Sequence, residues 1–265
     1  MTSRLAAASA FSPESSPQLG FSLVEMAISL VVLTLLIGGL LIPLATQTEQ
    51  RQYKETQRVM NEINEALIGY ALAQTPPHLP CPDKTTAAGV GTANDGLEDF
   101  DASTGQCVAR EGNVPWATLG VASADPWGNR FRYLVTPGFS NRPPATPVMS
   151  LASVGDIRVC SVASALVTCA PGTALASSVP AVVISHGKNG LGAVNSITNA
   201  PNPNPGSNDE LENINVPVAL DTSATNVVSH VISALGSPAG EFDDIVTWLP
   251  TSILFARLVS ASKLP

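Results

Sequence analysis

The longest uncharged segment of the chain is the feature that most constrains its fold. No Asp, Glu, Lys or Arg occurs among the 23 residues from Met26 to Thr48, and most of these residues are apolar. In a helix they would extend about 34 Å, which is enough to cross the ~30 Å hydrocarbon core of a bilayer. A cleavable secretory signal has a shorter apolar region, of ~7–15 residues, behind a positively charged start. The sequence therefore predicts a membrane-spanning helix.

The overall charge argues against one large class of partner. The 265 residues include 13 Lys and Arg against 21 Asp and Glu, which gives a net charge of −8. Proteins that bind nucleic acid normally present a basic face to the phosphates. We therefore expect no nucleic acid partner.

The residues just before the apolar segment form a distinctive junction. Residues 20–25 read Gly-Phe-Ser-Leu-Val-Glu and lead directly into it. This placement of Gly, an aromatic residue and Glu resembles the processing site of type IV prepilins and of the pseudopilins of type II secretion. The resemblance implies that a prepilin peptidase cuts between Gly20 and Phe21, that residues 1–20 are removed as a leader, and that Phe21 becomes N-methylated.

Glu25 is the charged residue of this junction. A carboxylate at the edge of an apolar helix is costly and usually has a function or a partner. The family resemblance implies that Glu25 neutralises the Phe21 amine of a neighbouring subunit during filament assembly. The alternative is a side chain that reaches the lipid headgroups and has no role in assembly.

Beyond the apolar segment the helical pattern continues but becomes amphipathic. Apolar residues recur every three or four positions among charged ones, and Thr75-Pro76-Pro77 ends the pattern. We predict one long helix, with residues 21–48 in the membrane and residues 49–75 packed on the protein's own sheet. Residues 76–265 would form a periplasmic globular domain.

Short runs of β-branched and aromatic residues predict the strands of that domain. With the helix they give an α+β, pilin-like fold, in which the helix packs on a small sheet that is mainly antiparallel. The middle of the domain is enlarged and rich in loops, and a short helix at residues 252–262 ends the chain. The strand candidates are residues 130–136, 157–162, 166–169, 181–185 and 245–249, while residues 227–235 are ambiguous between helix and strand.

A second resemblance lies in residues 125–133, which read Asp-Pro-Trp-Gly-Asn-Arg-Phe-Arg-Tyr. This run is similar to a signature of the major pseudopilins of type II secretion. Pro126 and Gly128 predict a tight turn before a strand, and Asn129 tolerates left-handed backbone. Residues 136–240 exceed the core of a small pseudopilin, which favours a minor or specialised subunit over the major one.

Four cysteines allow three pairings, and a domain in the bacterial periplasm would be oxidised. Cys160 and Cys169 flank Ser164-Ala165 symmetrically, so a two-residue hairpin would place them opposite each other. We predict the bridges Cys160–Cys169 and Cys81–Cys107. Zinc is the alternative, but no Cys-x-x-Cys spacing occurs.

Acidic residues cluster in several segments of the predicted domain. Calcium takes about six to eight oxygen ligands, which acidic loops could supply, although no cluster has the EF-hand order. The resemblance adds a motive, since major pseudopilins bind calcium. We predict no obligatory cofactor and keep calcium as the open alternative. The candidate ligands are Asp95, Glu98, Asp99, Asp209, Glu210, Asp243 and Asp244.

The chain shows no assembled catalytic motif, because Ser185-His186-Gly187 lacks the Gly-x-Ser-x-Gly elbow of a nucleophile. We predict that it is not an enzyme. The resemblance implies a minor pilin or pseudopilin of a type IV pilus or of a type II secretion pseudopilus, inserted once in the bacterial inner membrane. Its partners would be the prepilin peptidase, the assembly platform and other pilin-like subunits. The alternative is a membrane-anchored periplasmic binding or adhesive module that does not enter a filament.

Overall fold

A computed structural model describes most of the chain, and the described residues are 20, 22–164, 168–214, 225–238 and 240–264. Side chains are described in these ranges except at residues 38–45. The predicted leader before Gly20, and Phe21 itself, lie outside the described residues. The chain divides into two compact units, Met1–Glu49 and Gln50–Pro265.

Helix α1 comprises Leu23–Ala73, which is close to the extent that the sequence predicts. In the first unit its apolar side chains between Leu23 and Ile37 are exposed. Within the part of the chain that the structure describes, no helix combines the length and the apolar character that crossing a membrane requires. The membrane span expected at residues 21–48 is therefore not confirmed.

In the second unit, α1 buries one stripe of its surface. The exposed face carries Arg58, which forms ion pairs with Glu55 and Glu62 one turn away on either side. The helix ends before Thr75-Pro76-Pro77, because proline cannot continue the hydrogen-bond ladder. The buried residues recur at helical spacing and are Thr56, Val59, Met60, Ile63, Leu67, Ile68 and Ala71.

The remaining elements of the second unit are short. Among the described residues, the helices are α2 Trp116–Leu119, α3 Pro137–Ser140, α4 Asn208–Glu212 and α5 Thr251–Ser260. The strands are β1 Phe100–Asp101, β2 Gln106–Cys107, β3 Glu111–Asn113, β4 Arg132–Val135, β5 Ile157–Cys160, β6 Ala174–Val179, β7 Ala181–Ser185, β8 Thr225–Val228 and β9 Ile245–Leu249.

Strands β1 and β2 form a separate antiparallel pair, and the two larger sheets of the described residues form three layers with the helix. The larger sheet is antiparallel with strand order β3-β4-β7-β9. The smaller one has the order β6-β5-β8, in which β5 pairs antiparallel with β6 and parallel with β8. Alternate residues of β4 face opposite sides: Tyr133 and Val135 share a core with α1, whereas Leu134 shares one with the smaller sheet. The larger sheet is thus the middle layer, as in other layered domains.

The α+β fold, the long helix and the short C-terminal helix agree with the sequence prediction. Strands β4, β5, β7 and β9 lie within predicted ranges. The strand predicted at residues 166–169 is wrong at its described end, because Thr168 and Cys169 lie in a loop, and residues 165–167 lie outside the description. The ambiguous segment 227–235 contains the end of β8 followed by a loop. Strand β6 was not predicted, because its sequence Ala-Leu-Ala-Ser-Ser-Val is poor in β-branched residues.

Candidate functional site

Gly20 is the described residue of the predicted cleavage bond. It is exposed, and among the described residues no atom beyond its chain neighbours lies within 4 Å of the position that a Cβ would take there. The surroundings that the structure describes therefore leave room for another protein to reach this part of the backbone. Phe21, on the other side of the bond, lies outside the described residues.

Glu25 and Ser22 form a reciprocal cap at the start of α1. The backbone N–H of Ser22 donates to Glu25 Oε2 at 2.9 Å, and the backbone N–H of Glu25 donates to Ser22 Oγ at 3.2 Å. This is a capping box, which satisfies donors that the first turn of a helix leaves unpaired. Glu25 thus has a structural task within its own chain, and a test of its role in assembly must separate that task from its charge.

Three acidic side chains come together where α4 meets the segment before β9. Carboxylate oxygens of Glu210, Asp243 and Asp244 all lie within 4.8 Å of one another. Across the described ranges, this is the group of three or more His, Cys, Asp or Glu side chains with ligand atoms close enough to hold one metal ion. The fold therefore joins two of the predicted acidic clusters, which are some thirty residues apart in the sequence.

Two oxygens of this cluster are buried and have no hydrogen-bond partner, namely Glu210 Oε2 and Asp243 Oδ1. The other oxygens of these side chains are held in place. Glu210 Oε1 accepts from the backbone N–H of Asp243 at 3.0 Å and from Asn189 Nδ2 at 3.2 Å. Asp243 Oδ2 accepts from the backbone N–H of Asn189 at 2.8 Å. Asn189 thus fixes both carboxylates and leaves one oxygen of each unsatisfied.

The third carboxylate, Asp244, is oriented by two buried side chains. Its Oδ2 accepts from Asn213 Nδ2 at 2.7 Å, and its Oδ1 lies 3.2 Å from His186 Nδ1. His186 follows β7 directly, so the strand positions it beside the cluster. In the sequence His186 follows Ser185, and nothing there indicates that it lies beside these carboxylates. The Asn189 and Asn213 side chains carried no signal in the sequence that distinguished them from other loop residues.

The electrostatics of the cluster favour a positive charge. The pKa of Glu210 is raised to about 7, mainly by burial, and the nearby Asp244 and Asp243 carboxylates act in the same direction. Burial also raises the pKa of Asp243, and the Asp244 carboxylate acts in the same direction. Glu210 is 1% exposed, so water does little to compensate its charge. Either a proton or a cation would relieve the repulsion.

Calcium fits this donor set. An unsatisfied buried acceptor costs about 1–3 kcal/mol, and a hard cation that takes carboxylate oxygens would satisfy both orphaned atoms at once. Three carboxylates are fewer than the six to eight oxygens that calcium takes, so backbone carbonyls and water would have to complete the shell. Glu210, Asp243 and Asp244 are the residues that would hold the ion.

The other calcium candidates are engaged elsewhere. Asp95 accepts from the backbone N–H of Leu97 at 2.9 Å, and Asp99 accepts from the backbone N–H of Lys84 at 2.8 Å. Asp209 contacts His230 Nε2 at 3.1 Å. Glu98 accepts a hydrogen bond from the hydroxyl of Tyr70 in α1 at 2.7 Å and forms an ion pair with Arg142. Since each of these has structural partners, we assign none of them to the cluster.

Two disulfides, Cys81–Cys107 and Cys160–Cys169, cross-link the second unit. These are the pairs that the sequence predicts, although Cys160 and Cys169 do not face each other across two paired strands as the argument from spacing expected. Cys160 ends β5 and lies opposite Ala174 of β6, while Cys169 belongs to the loop that joins these strands. The bridge therefore ties a loop to a strand.

The turn at Asp125 is a structural feature and presents no reactive group. Asp125 Oδ1 accepts from the backbone N–H groups of Trp127 and Asn129, both at 3.0 Å, and its Oδ2 accepts from Ser185 Oγ at 2.7 Å. Gly128 takes the left-handed conformation, with φ of 86°, and Asn129 does not. These hydrogen bonds connect the turn before β4 to the end of β7. The next residue, His186, contacts the acidic cluster.

Comparison with known proteins identifies the N-terminal region. Residues 15–41 match the family model described as the prokaryotic N-terminal methylation motif. No curated protein and no solved structure matches the chain significantly. The matched residues include the junction at Gly20, the cap at Glu25 and the exposed apolar part of α1. The chain therefore carries a prepilin N-terminal methylation motif, the signature of the type IV pilin and pseudopilin family.

Proposed function

We propose that this chain is a structural subunit, a minor pilin or pseudopilin, of a type IV pilus or of a type II secretion pseudopilus. The observation that carries the proposal is the methylation motif at residues 15–41, which continues into a helix whose apolar side chains are exposed as far as Ile37. Exposed apolar surface of this extent marks a site of contact with lipid or with other proteins. The part of α1 from Thr56 onward is occupied by the chain's own domain.

The proposed life cycle follows from this division of the helix. The chain enters the inner membrane through residues 21–48, with the second unit in the periplasm. A prepilin peptidase cleaves after Gly20, Phe21 becomes N-methylated, and the assembly platform moves the subunit into a filament. In the filament, the apolar side chains of α1 contact the apolar side chains of other pilin-like subunits instead of lipid.

Processing is tested by mass spectrometry of the chain isolated from its native membrane. We expect a mature protein that starts at N-methylated Phe21. An intact Met1 in a cell that contains active prepilin peptidase would contradict the proposal.

Assembly is tested at Glu25 with two variants. Glu25→Gln removes the charge but keeps a residue that suits the third position of a capping box, whereas Glu25→Ala removes both. If the charge pairs with a neighbouring Phe21 amine, both variants lose incorporation into filaments while remaining in the membrane. A membrane-anchored binding module, the alternative function, would keep its location and activity in both variants.

We also propose that Glu210, Asp243 and Asp244 bind calcium, supported by the two orphaned oxygens. The ion would join α4 to the segment that enters β9, so its task would be to stabilise the globular domain. No step of assembly is assigned to it.

A further inference from the structure

His230 lies two residues after β8, at the start of residues 229–241, which we call the β8–β9 loop. Both nitrogens of its imidazole ring face an oxygen atom. Nδ1 lies 2.7 Å from the backbone carbonyl oxygen of Val231, and Nε2 lies 3.1 Å from Oδ2 of Asp209 in α4. The His230 side chain is 18% exposed, so the protein provides most of its surroundings.

The two oxygens can only accept a hydrogen bond, which determines the form of the ring that fits between them. A backbone carbonyl has no proton to give, and neither has an ionised carboxylate. A neutral imidazole has a single N–H, so one of its nitrogens would face an oxygen without a proton between them. The imidazolium ion donates from both nitrogens. The geometry therefore fits the charged form of His230.

The ring of Phe242 provides a second contact that favours the charged form. It stacks on His230 with ring centroids 3.9 Å apart and an angle of 26° between the planes. The face of an aromatic ring attracts a cation through its quadrupole. Phe242 belongs to the segment that leads to β9, so His230 contacts both ends of the β8–β9 loop.

Asp209 extends the link beyond the loop. Its Oδ1 accepts a hydrogen bond from the backbone N–H of Ala163, which follows β5, while its Oδ2 faces His230. Asp209 is 5% exposed, so loss of its contact with a positive charge would leave a carboxylate largely shielded from water. The proton on His230 thus helps to hold the loop against α4 and, through Asp209, against the segment after β5.

The charged groups near His230 come from two elements. Among the described residues, Asp209 of α4 is the partner in its ion pair. The segment before β9 presents the uncharged ring of Phe242, which Glu241 and Asp243 flank in the sequence. Glu210 follows Asp209, but its Oε1 accepts from the backbone N–H of Asp243. Because the pKa of Glu210 is about 7, its own titration must be removed in any test.

We propose that His230 is a pH-sensitive latch for the β8–β9 loop. As an imidazolium ion it joins the loop to Asp209 and to the Val231 carbonyl. Loss of one proton at higher pH leaves one of these two contacts without a hydrogen bond and loosens the base of the loop. Histidine ordinarily changes its charge between about pH 5 and pH 8, so this range sets where the latch opens. The latch thereby controls the order of a loop on which Val231 and Leu235 are exposed.

The charge of His230 is measured directly by NMR of the full chain in mild detergent, with ¹⁵N-labelled histidine and excess EGTA. The chain has three histidines, and the signals that His230→Gln removes belong to His230. We expect protons on both ring nitrogens at about pH 6 and on one at about pH 8.5. A ring with a single protonated nitrogen at the lower pH would overturn the proposal.

The effect on the loop is measured by hydrogen exchange in the same samples. Ser233 and Phe242 exchange two backbone hydrogen bonds across the base of the loop, so their amides report on its opening. Their protection factors, which correct for the intrinsic effect of pH, should fall about tenfold or more between about pH 6 and pH 8.5. This is the loss expected when a hydrogen bond to a charged group is removed. Protection that does not change with pH would overturn the latch.

Three variants assign the effect to His230. His230→Gln, which does not titrate, should have low protection at both pH values. His78→Gln is the matched control, because His78 lies outside the loop and bonds to Pro76, and it should keep the decline. Glu210→Gln removes the competing titration and should also keep it. A decline that survives in His230→Gln, or one that disappears in either of the other two variants, would show that a different group controls the loop.

Discussion

Removal of calcium from the Glu210, Asp243 and Asp244 cluster should lower the stability of the globular domain by a measurable amount. A ligand present at a hundred times its dissociation constant stabilises the folded state by about 2.7 kcal/mol. For a unit the size of Gln50–Pro265, each kcal/mol shifts Tm by about 2–4 °C, so the expected shift is about 5–11 °C.

The melt can be followed in the full chain by tryptophan fluorescence. All three tryptophans lie in the second unit, so the signal reports on that unit alone. Tm should be higher in millimolar calcium than in excess EGTA, and Glu210→Gln should abolish the difference. Asp101→Asn is the control, because Asp101 is an acidic residue engaged with Ser103 outside the cluster. Equal melting temperatures with calcium and with EGTA would refute the calcium site.

Two further predictions concern the domain without its ligand. Burial raises the pKa of Asp83 to about 6, above its ordinary 3.8, so the folded state retains a proton that the unfolded state has lost, and stability falls between about pH 4 and pH 6. Asp83→Asn should remove this decline in the free energy of unfolding, which is on the order of 3 kcal/mol at most. Denaturant unfolding at several pH values measures it, and an unchanged dependence of stability on pH in the variant would contradict the raised pKa of Asp83. Leu67→Ala should cost about 2–5 kcal/mol in the same assay, because Leu67 is fully buried under the larger sheet, whereas Leu97→Ala at an exposed position should cost under about 1 kcal/mol. Similar losses in the two leucine variants would show that α1 does not depend on this core.

The helix and the main strands could be predicted because their signals are local. The stripe from Val59 to Ala71 recurs at helical spacing, and β7 is centred on the β-branched run Val182-Val183-Ile184 and preceded by Pro180. β6 could not be predicted in the same way, because its composition does not favour a strand. It forms a strand because it pairs with β5. The bridge between Cys160 and Cys169 was also predicted correctly, although Cys160 lies opposite Ala174 rather than opposite Cys169.

The acidic cluster lay beyond prediction for a different reason. Its three carboxylates were among seven candidate calcium ligands, and no local sequence feature distinguished them from the other four. Glu210 and Asp243 meet because Asn189, in the loop after β7, binds both, and this contact depends on the order of strands in the sheet. Pairings of this kind are set by tertiary structure, and a single sequence does not encode them in any spacing.

The acidic cluster is connected to the loop between β8 and β9, whose base is closed by two backbone hydrogen bonds between Ser233 and Phe242, and this leads to a last prediction. Phe242, whose backbone closes the loop, precedes Asp243 and stacks on His230 with ring centroids 3.9 Å apart. His230 in turn contacts Asp209, the neighbour of Glu210. An ion that fixes Glu210 and Asp243 therefore restrains both sides of the loop base.

Hydrogen exchange measured by mass spectrometry on peptides that cover residues 229–242 reports this restraint directly. The amides of Ser233 and Phe242, which form the bridge, should exchange more slowly with calcium than with EGTA, and Glu210→Gln should remove the difference. Exchange in β4, far from the loop in the sheet order, provides the internal reference. If the loop peptides exchange equally in both conditions while Tm still responds to calcium, the ion stabilises the domain without ordering the loop.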